Sequence, residues 1–210
     1  MYEHMKFKNA INMRKANYDK FPSTKLTGML VQGWDSIISM LKEKMDARKV
    51  LAVDLYTGVY EEEVLDAFSK EFSGRVMNVR DLMKPEKEIQ ALTERFMTED
   101  VLFGYVTNLK LEDYLDVDKV AAARKQISEA KDAIVIIGTG AAVVAPQDAM
   151  VVYADMARWE IQQRFRRHEV KALGIDNRND AVSLQYKRGY FNDWRVCDRY
   201  KERLFDRVEF

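Results

Sequence analysis

Apolar residues recur at helical spacing in several stretches of this chain and fall in short unbroken runs between them. Ile37, Ile38, Leu41 and Met45 share one face. They predict a helix over Asp35–Ala47, with Asp35 as its cap and Lys42, Lys44 and Arg48 toward the end that favours cations. Val50–Leu55 then reads as a strand, Thr57-Gly58 as a turn, and Val64, Leu65, Phe68 and Phe72 as the inner face of a second helix. Val76–Val79 is a short strand, Glu86–Phe96 a helix, and Val101–Val106 another strand bounded by Asp100 and Thr107-Asn108. A helix is expected over Val117–Ala130. After it, Ala133–Ile137 is apolar without interruption, as in a strand covered by helices on both faces. Met150–Ala154 repeats that character before a long helix, Met156–Arg167, and Asp180–Phe205 reads as two helices broken around Gly189.

Strands that alternate with helices in this way predict an α/β fold, with a mainly parallel sheet, helices on both faces and a helical C-terminal extension. No repeat or Pro/Gly-rich linker interrupts the sequence, so the expected division is an arm over residues 1–33 and one domain over residues 34–210. Ligands of such sheets gather beyond the carboxyl ends of the strands. The loops after Leu55, Val106, Gly138 and Ala154 are therefore the places to look.

Composition narrows the classes. Across 210 residues, 47% are hydrophobic and 32% charged, with 3 Pro and 9 Gly, which excludes disorder and collagen-like repeats. The one cysteine, Cys197, cannot form an internal bridge, no apolar run approaches the roughly 20 residues of a membrane span, and Met1–Arg14 lacks the apolar block of a signal peptide. A cytoplasmic protein is expected. The 34 Lys+Arg against 34 Asp+Glu argue against a nucleic-acid or membrane partner. That neutrality is uneven: residues 151–210 carry 13 basic and 10 acidic side chains, the preceding 150 carry 21 and 24, so an anionic ligand is expected on the C-terminal third.

The first of those loops reads Tyr56-Thr57-Gly58-Val59-Tyr60-Glu61-Glu62-Glu63. A working phosphate loop, Gly-x-x-x-x-Gly-Lys-Ser/Thr, turns backbone N–H groups onto phosphates, adds a lysine and offers a hydroxyl to magnesium. With Gly58 as the glycine inside such a loop, Tyr60 stands at the second glycine, Glu61 at the lysine and Glu62 at the hydroxyl. Three carboxylates in one helical turn satisfy the helix dipole and repel a triphosphate. A degenerate phosphate loop is expected at Gly58, Tyr60, Glu61 and Glu62, and an ordinary strand-turn-helix with an acidic start fits the same residues.

Gly138-Thr139-Gly140-Ala141-Ala142-Val143 has the spacing of a dinucleotide loop, but Val143 fills the third small position and Pro146 follows where a long helix should run. A close-packed turn is expected there. His4, His168 and Cys197 are too few for a metal site, and none is expected. Asp54 and Asp155, at strand ends, form a candidate acidic site that would hold magnesium only with phosphate partners; otherwise they cap helices or pair with arginines. Cys197 reads as a buried helix cysteine. Arg158, Arg164 and Arg167, with Arg188 downstream, are the candidate anion-binding wall. Salt bridges to Glu160, Glu169, Asp193 and Asp198 would consume the same arginines.

Tyr18-Asp19-Lys20-Phe21-Pro22, Gln32-Gly33-Trp34-Asp35, the stretch Val152–Arg164 and Tyr186-Lys187-Arg188-Gly189-Tyr190-Phe191 resemble the N-terminal region of long bacterial class I mannose-6-phosphate isomerases, over about Tyr18 to Phe210. That region is similar to P-loop kinases of the uridine-kinase type: Val50–Leu55 would be the first kinase strand and the Arg-rich helix after Asp155 the lid. In that family a cupin isomerase domain follows, and this chain stops where it would begin, so the isomerase's metal ligands have no matching positions. The departures at Tyr60, Glu61 and Glu62 remove groups that position and stabilise a transferring phosphoryl. The resemblance implies a non-catalytic, kinase-like accessory domain that needs no cofactor and either binds a sugar phosphate or docks a cupin isomerase domain or protein. Two alternatives stay open: a nonstandard phosphotransferase on a nucleoside or sugar, using Asp54, Asp155 and the arginines, and isomerase catalysis carried by a cupin segment outside this chain.

Overall fold

The structure, a computed structural model, describes residues 18, 19, 22–25, 27, 28 and 30–210. His4, Lys20, Phe21 and most of the expected arm lie outside the described residues. The chain divides into two units, residues 1–31 and 32–210, and every regular element described below belongs to the second.

Four strands, β1 (Val50–Leu55), β2 (Arg75–Asn78), β3 (Ile134–Gly138) and β4 (Met150–Ala154), form one sheet in the order β2-β3-β1-β4 with every pair parallel. In register, Ala52 lies between Ile136 and Val151. Strand alternation then sorts the core into two layers. Leu51, Val53 and Leu55 of β1, with Val135 and Ile137 of β3, pack beneath α1 (Trp34–Met45) and α2 (Glu61–Glu71) through Ile38, Leu41, Val64 and Phe68. On the other face, Val50, Ala52, Ile134 and Ile136 meet α3 (Glu86–Met97), α4 (Val117–Glu129), α5 (Ala141–Val144), α6 (Arg158–Arg166) and α8 (Trp194–Leu204). The uninterrupted apolar character of β1 and β3 follows from burial on both faces, because neither has a side exposed to water.

The chain crosses β3 on its way from β1 to β2 and crosses β1 on its way from β3 to β4. The loops after β1 and β3 therefore leave the sheet in opposite directions from neighbouring strands, the switch point where α/β sheets open a crevice. Beyond β4, the last residues act as a further strand: Val208 pairs parallel with Val151, Glu209 N–H donates to Val151 O, and Tyr153 N–H donates to Phe210 O. That tail covers an edge otherwise open to another chain.

Three sequence expectations need correction. Val101–Val106 is not a strand; the segment is irregular, with Val101 73%, Phe103 68% and Tyr105 69% exposed. Its backbone is committed elsewhere: the Asp100 carboxylate accepts from Leu102 N and Phe103 N, and Tyr105 N–H donates to Phe96 O. Gly189 does not break the C-terminal helices. α7 (Val182–Arg188) runs through a π-helical turn, Gly189–Asp193, into α8, and the missing Cβ at Gly189 lets the Trp194 ring lie 2.9 Å from where that atom would be. Asp35 sits in the first turn of α1, but the cap residue is Gly33, with no side-chain capping bond. Among the described residues no helix is long and apolar enough to cross a membrane.

Burial differences give a direct check. Ile136→Ala, in the fully buried β3, is expected to lower unfolding free energy in urea by about 2–5 kcal/mol, whereas Leu102→Ser should change it by no more than about 0.5 kcal/mol. A large loss at Leu102 would restore a buried strand there.

Candidate functional site

At the switch point, both places where an anion would sit are filled from within the chain. Asp54, next to last in β1, is fully buried, and its side chain turns to the α5 face. It accepts hydrogen bonds from Gly140 N at 3.0 Å, Ala142 N at 2.9 Å and the Tyr200 hydroxyl at 2.5 Å. The Gly138-Thr139-Gly140 turn is the close-packed turn expected: Gly140 is left-handed at φ 95°, and a Cβ on Gly138 would lie 2.9 Å from Val79 Cβ. Its amides thus face a carboxylate of the same chain. Burial pushes the Asp54 carboxyl up to about 6, against the lowering effect of Tyr200 and the two amides. The Tyr200 hydroxyl is pushed up as well, first by burial and then by Asp54.

The loop after β1 is closed by α6. Gly58, at φ 93°, passes so near that helix that a Cβ would stand 2.7 Å from Ile161 Cγ1. Arg164, 9% exposed, donates Nη1–H to Gly58 O at 2.7 Å and stacks 3.6 Å above the Tyr60 ring, with its Nε on Glu160 at 3.1 Å. The Tyr60 hydroxyl donates to Glu169 at 2.5 Å. Arg167 bridges Glu160 at 2.9 Å and Glu169 at 2.8 Å. Each loop acid has its own partner: Glu61 pairs with Arg80 at 3.2 Å, Glu62 with Lys171 at 2.5 Å, and Glu63 accepts from Trp34 Nε1 at 2.8 Å. Lys171 lowers the Glu62 carboxyl below its ordinary value, and Arg167 foremost does the same for Glu160 and Glu169. What remains between the loop and the 169–173 segment is a cavity of about 30 Å³. Small-molecule sites run to roughly 300–1,000 Å³, so this space suits a water and excludes a triphosphate.

The four arginines singled out in the sequence do not form one wall. Arg164 and Arg167 meet through Glu160. Arg158 lies on the α8 side, with Nη2 3.0 Å from Asp198 and 2.9 Å from the Tyr56 hydroxyl, its guanidinium 4.6 Å above Trp194. Arg188 is interior, 5% exposed, bonded to Thr93 Oγ1 at 2.9 Å and ion-paired with buried Asp193 at 3.4 Å. Every one of the four faces a carboxylate, as the salt-bridge reading of these residues expects. Asp155 engages Lys201 and its neighbour's Met156 N–H, and shares no partner with Asp54. Among the described residues no three His, Cys, Asp or Glu side chains gather as a metal cluster. Burial pushes the Cys197 thiol up, which makes it inert as a nucleophile.

Sequence reasoning missed Tyr56, Arg80, Lys171 and Tyr200. Each reaches its partner across 19 to 146 positions, a separation no spacing rule detects.

The arrangement defines a parallel α/β domain whose switch point is occupied by its own side chains. Residues 33–210 match the model of the family described as Domain of unknown function (DUF8485), and the chain belongs to that family. No curated protein matches the sequence.

The buried acid gives a pH test. Because its native value lies above the unfolded one of about 3.9, Asp54 contributes fully below that pH and its contribution is lost as pH rises through about 6. Asp54→Asn abolishes the titration. The stability gap between the native protein and Asp54→Asn, measured in urea, should move in favour of the native protein by about 2–3 kcal/mol as pH falls from about 7.5 to 4. A gap that does not vary with pH would mean that burial does not raise the Asp54 carboxyl.

Proposed function

We propose that this domain is a non-catalytic, kinase-like accessory module, related to the N-terminal region of class I mannose-6-phosphate isomerases, that docks a cupin isomerase domain or protein. The observation that carries the reading is the closed loop after β1: its glycine carbonyl, tyrosine and three glutamates are all engaged by this chain's own side chains, around a cavity of about 30 Å³. A phosphoryl-transfer site must leave that position open to phosphate and magnesium. The phosphotransferase alternative would require breaking the contacts of Arg164, Arg80 and Lys171 together, and it has no separate observation in its favour.

Docking is favoured over anion sensing at Arg158, Arg164, Arg167 and Arg188 because each already faces a carboxylate. It is further supported by the run of exposed apolar side chains at Val101, Leu102, Phe103, Tyr105 and Val106, since exposed apolar runs of this kind mark protein contacts. The same reading has the domain work in the cytoplasm, in keeping with its single, buried thiol.

Titration calorimetry with magnesium–ATP at physiological salt tests it. The expected dissociation constant is no tighter than about 1 mM, worth about 4 kcal/mol, and Glu61→Ala should leave it unchanged. Micromolar binding that responds to Glu61→Ala would overturn the closed-loop reading.

A further inference from the structure

A groove lies toward the amino ends of the strands, bordered by Ala142 and Tyr200 of the Asp54 site. It spans about 1080 Å³ at the amino ends of β1 and β4, between the α1–β1 turn, α4, the segment from α5 to β4, and the end of α8. Six cations line it, and two are neutralised: Arg48 pairs with Glu209 at 2.5 Å and Arg203 with Glu112 at 3.3 Å. Among the described residues, Lys44, Lys49, Arg124 and Arg207 make no ion pair with a carboxylate. Two of these are fixed in place by neutral acceptors. Arg124 donates Nη2–H to Val143 O at 2.7 Å, and Arg207 donates to Ala142 O at 3.1 Å and Pro146 O at 3.2 Å.

Carbonyl bonds hold a guanidinium in position without cancelling its charge, and each of these arginines keeps N–H donors beyond those used. Asp46 and Asp148 also line the groove, and the C-terminal ends of α1 and α4 add about half a negative charge each. Against the four cations left unpaired the balance stays positive by about one charge. Small apolar side chains, Val143, Ala145 and Ala149, also line the groove, which suits a carbon body beside a charged group. The contrast with the other end is chemical: there each singled-out arginine pairs with a carboxylate, and here two donate to carbonyls.

We propose that this groove binds a small phosphomonoester, its phosphate held between Arg124 and Arg207 with Lys44 and Lys49 at the rim. The inference does not rest on the closed loop, since the two sites share no residue. A concave groove on a chain of zero net charge fits a small ligand better than a nucleic acid, which calls for an extended basic surface.

Calorimetric titration at low ionic strength with inorganic phosphate, glucose 6-phosphate and AMP tests it. At least one of the two esters should bind with a dissociation constant of about 0.1–1 mM and more tightly than inorganic phosphate; which one does names the sugar or the nucleotide as the source. Reversing the rim with Lys44→Glu and Lys49→Glu, both exposed, should weaken binding at least about tenfold. Arg124→Gln, which keeps a donor for Val143 O, should weaken it too, and serves if the double variant folds poorly. Arg158→Ala, at the other end, should leave the affinity unchanged. The proposal is overturned if neither ester binds below about 10 mM, if inorganic phosphate binds as well as both, if the reversal has no effect, or if a single-stranded RNA binds more tightly than either ester.

Discussion

The contact of Arg164 with the Gly58 carbonyl ties the end of β1 to α6, and the rest of the switch point is arranged around it. A strand that runs into a helix through a glycine turn leaves a carbonyl and several amides without partners, and in a nucleotide-binding sheet phosphate accepts from the amides. Here a buried guanidinium takes the carbonyl, lies on the Tyr60 ring and is held by Glu160 one turn earlier on its own helix. A hydrogen bond from a charged donor is worth about 1.5–3 kcal/mol and a desolvated cation–π contact up to about 2. Together they outweigh the 0–1 kcal/mol of an ordinary surface ion pair such as Arg167 with Glu169. Arg164 is thus the fastening, and its neighbours are trim.

Carboxylates stand at two helix starts. α2 begins with Glu61, Glu62 and Glu63, and α5 with two amides bonded to Asp54. Negative charge at a helix start is favourable wherever it comes from, so a fold that has no phosphate at these positions is stabilised by carboxylates placed there. The expense is the burial of Asp54, whose raised carboxyl shows that three donors do not fully replace lost water. Its bond to Tyr200 also joins β1 to α8, which binds the C-terminal helices to the sheet.

Most of the fold was legible because its cause is local. The unbroken run Ile134-Val135-Ile136-Ile137 marks a strand buried on two faces, and the helices of α2, α3 and α4 follow apolar spacing that sequence displays directly. The acidic first turn of α2, at Glu61 and Glu62, was legible for the same reason. Val101–Val106 misled because strand-forming side chains need a neighbouring strand, and the Asp100 side chain had already taken the amides of Leu102 and Phe103. Gly189 misled because a glycine read as a break in fact admits the Trp194 ring. The pairing of the arginines was left open between two readings, since whether Arg158 meets Asp198 or a ligand depends on how α6 and α8 pack, 40 positions apart.

The most direct test of the closed switch point is denaturant unfolding of Arg164→Ala beside Arg166→Ala, two arginines on the same helix. A residue that fastens the fold is costly to remove, whereas arginines kept for a ligand are commonly neutral to stability or lower it. Arg164→Ala is expected to lower unfolding free energy by about 2–4 kcal/mol, and Arg166→Ala, exposed and with only a 3.4 Å contact to Gln163, by less than about 0.5 kcal/mol. Equal small effects, or a gain in stability for Arg164→Ala, would contradict the account and return Arg164 to the role of a ligand-binding side chain over an open loop.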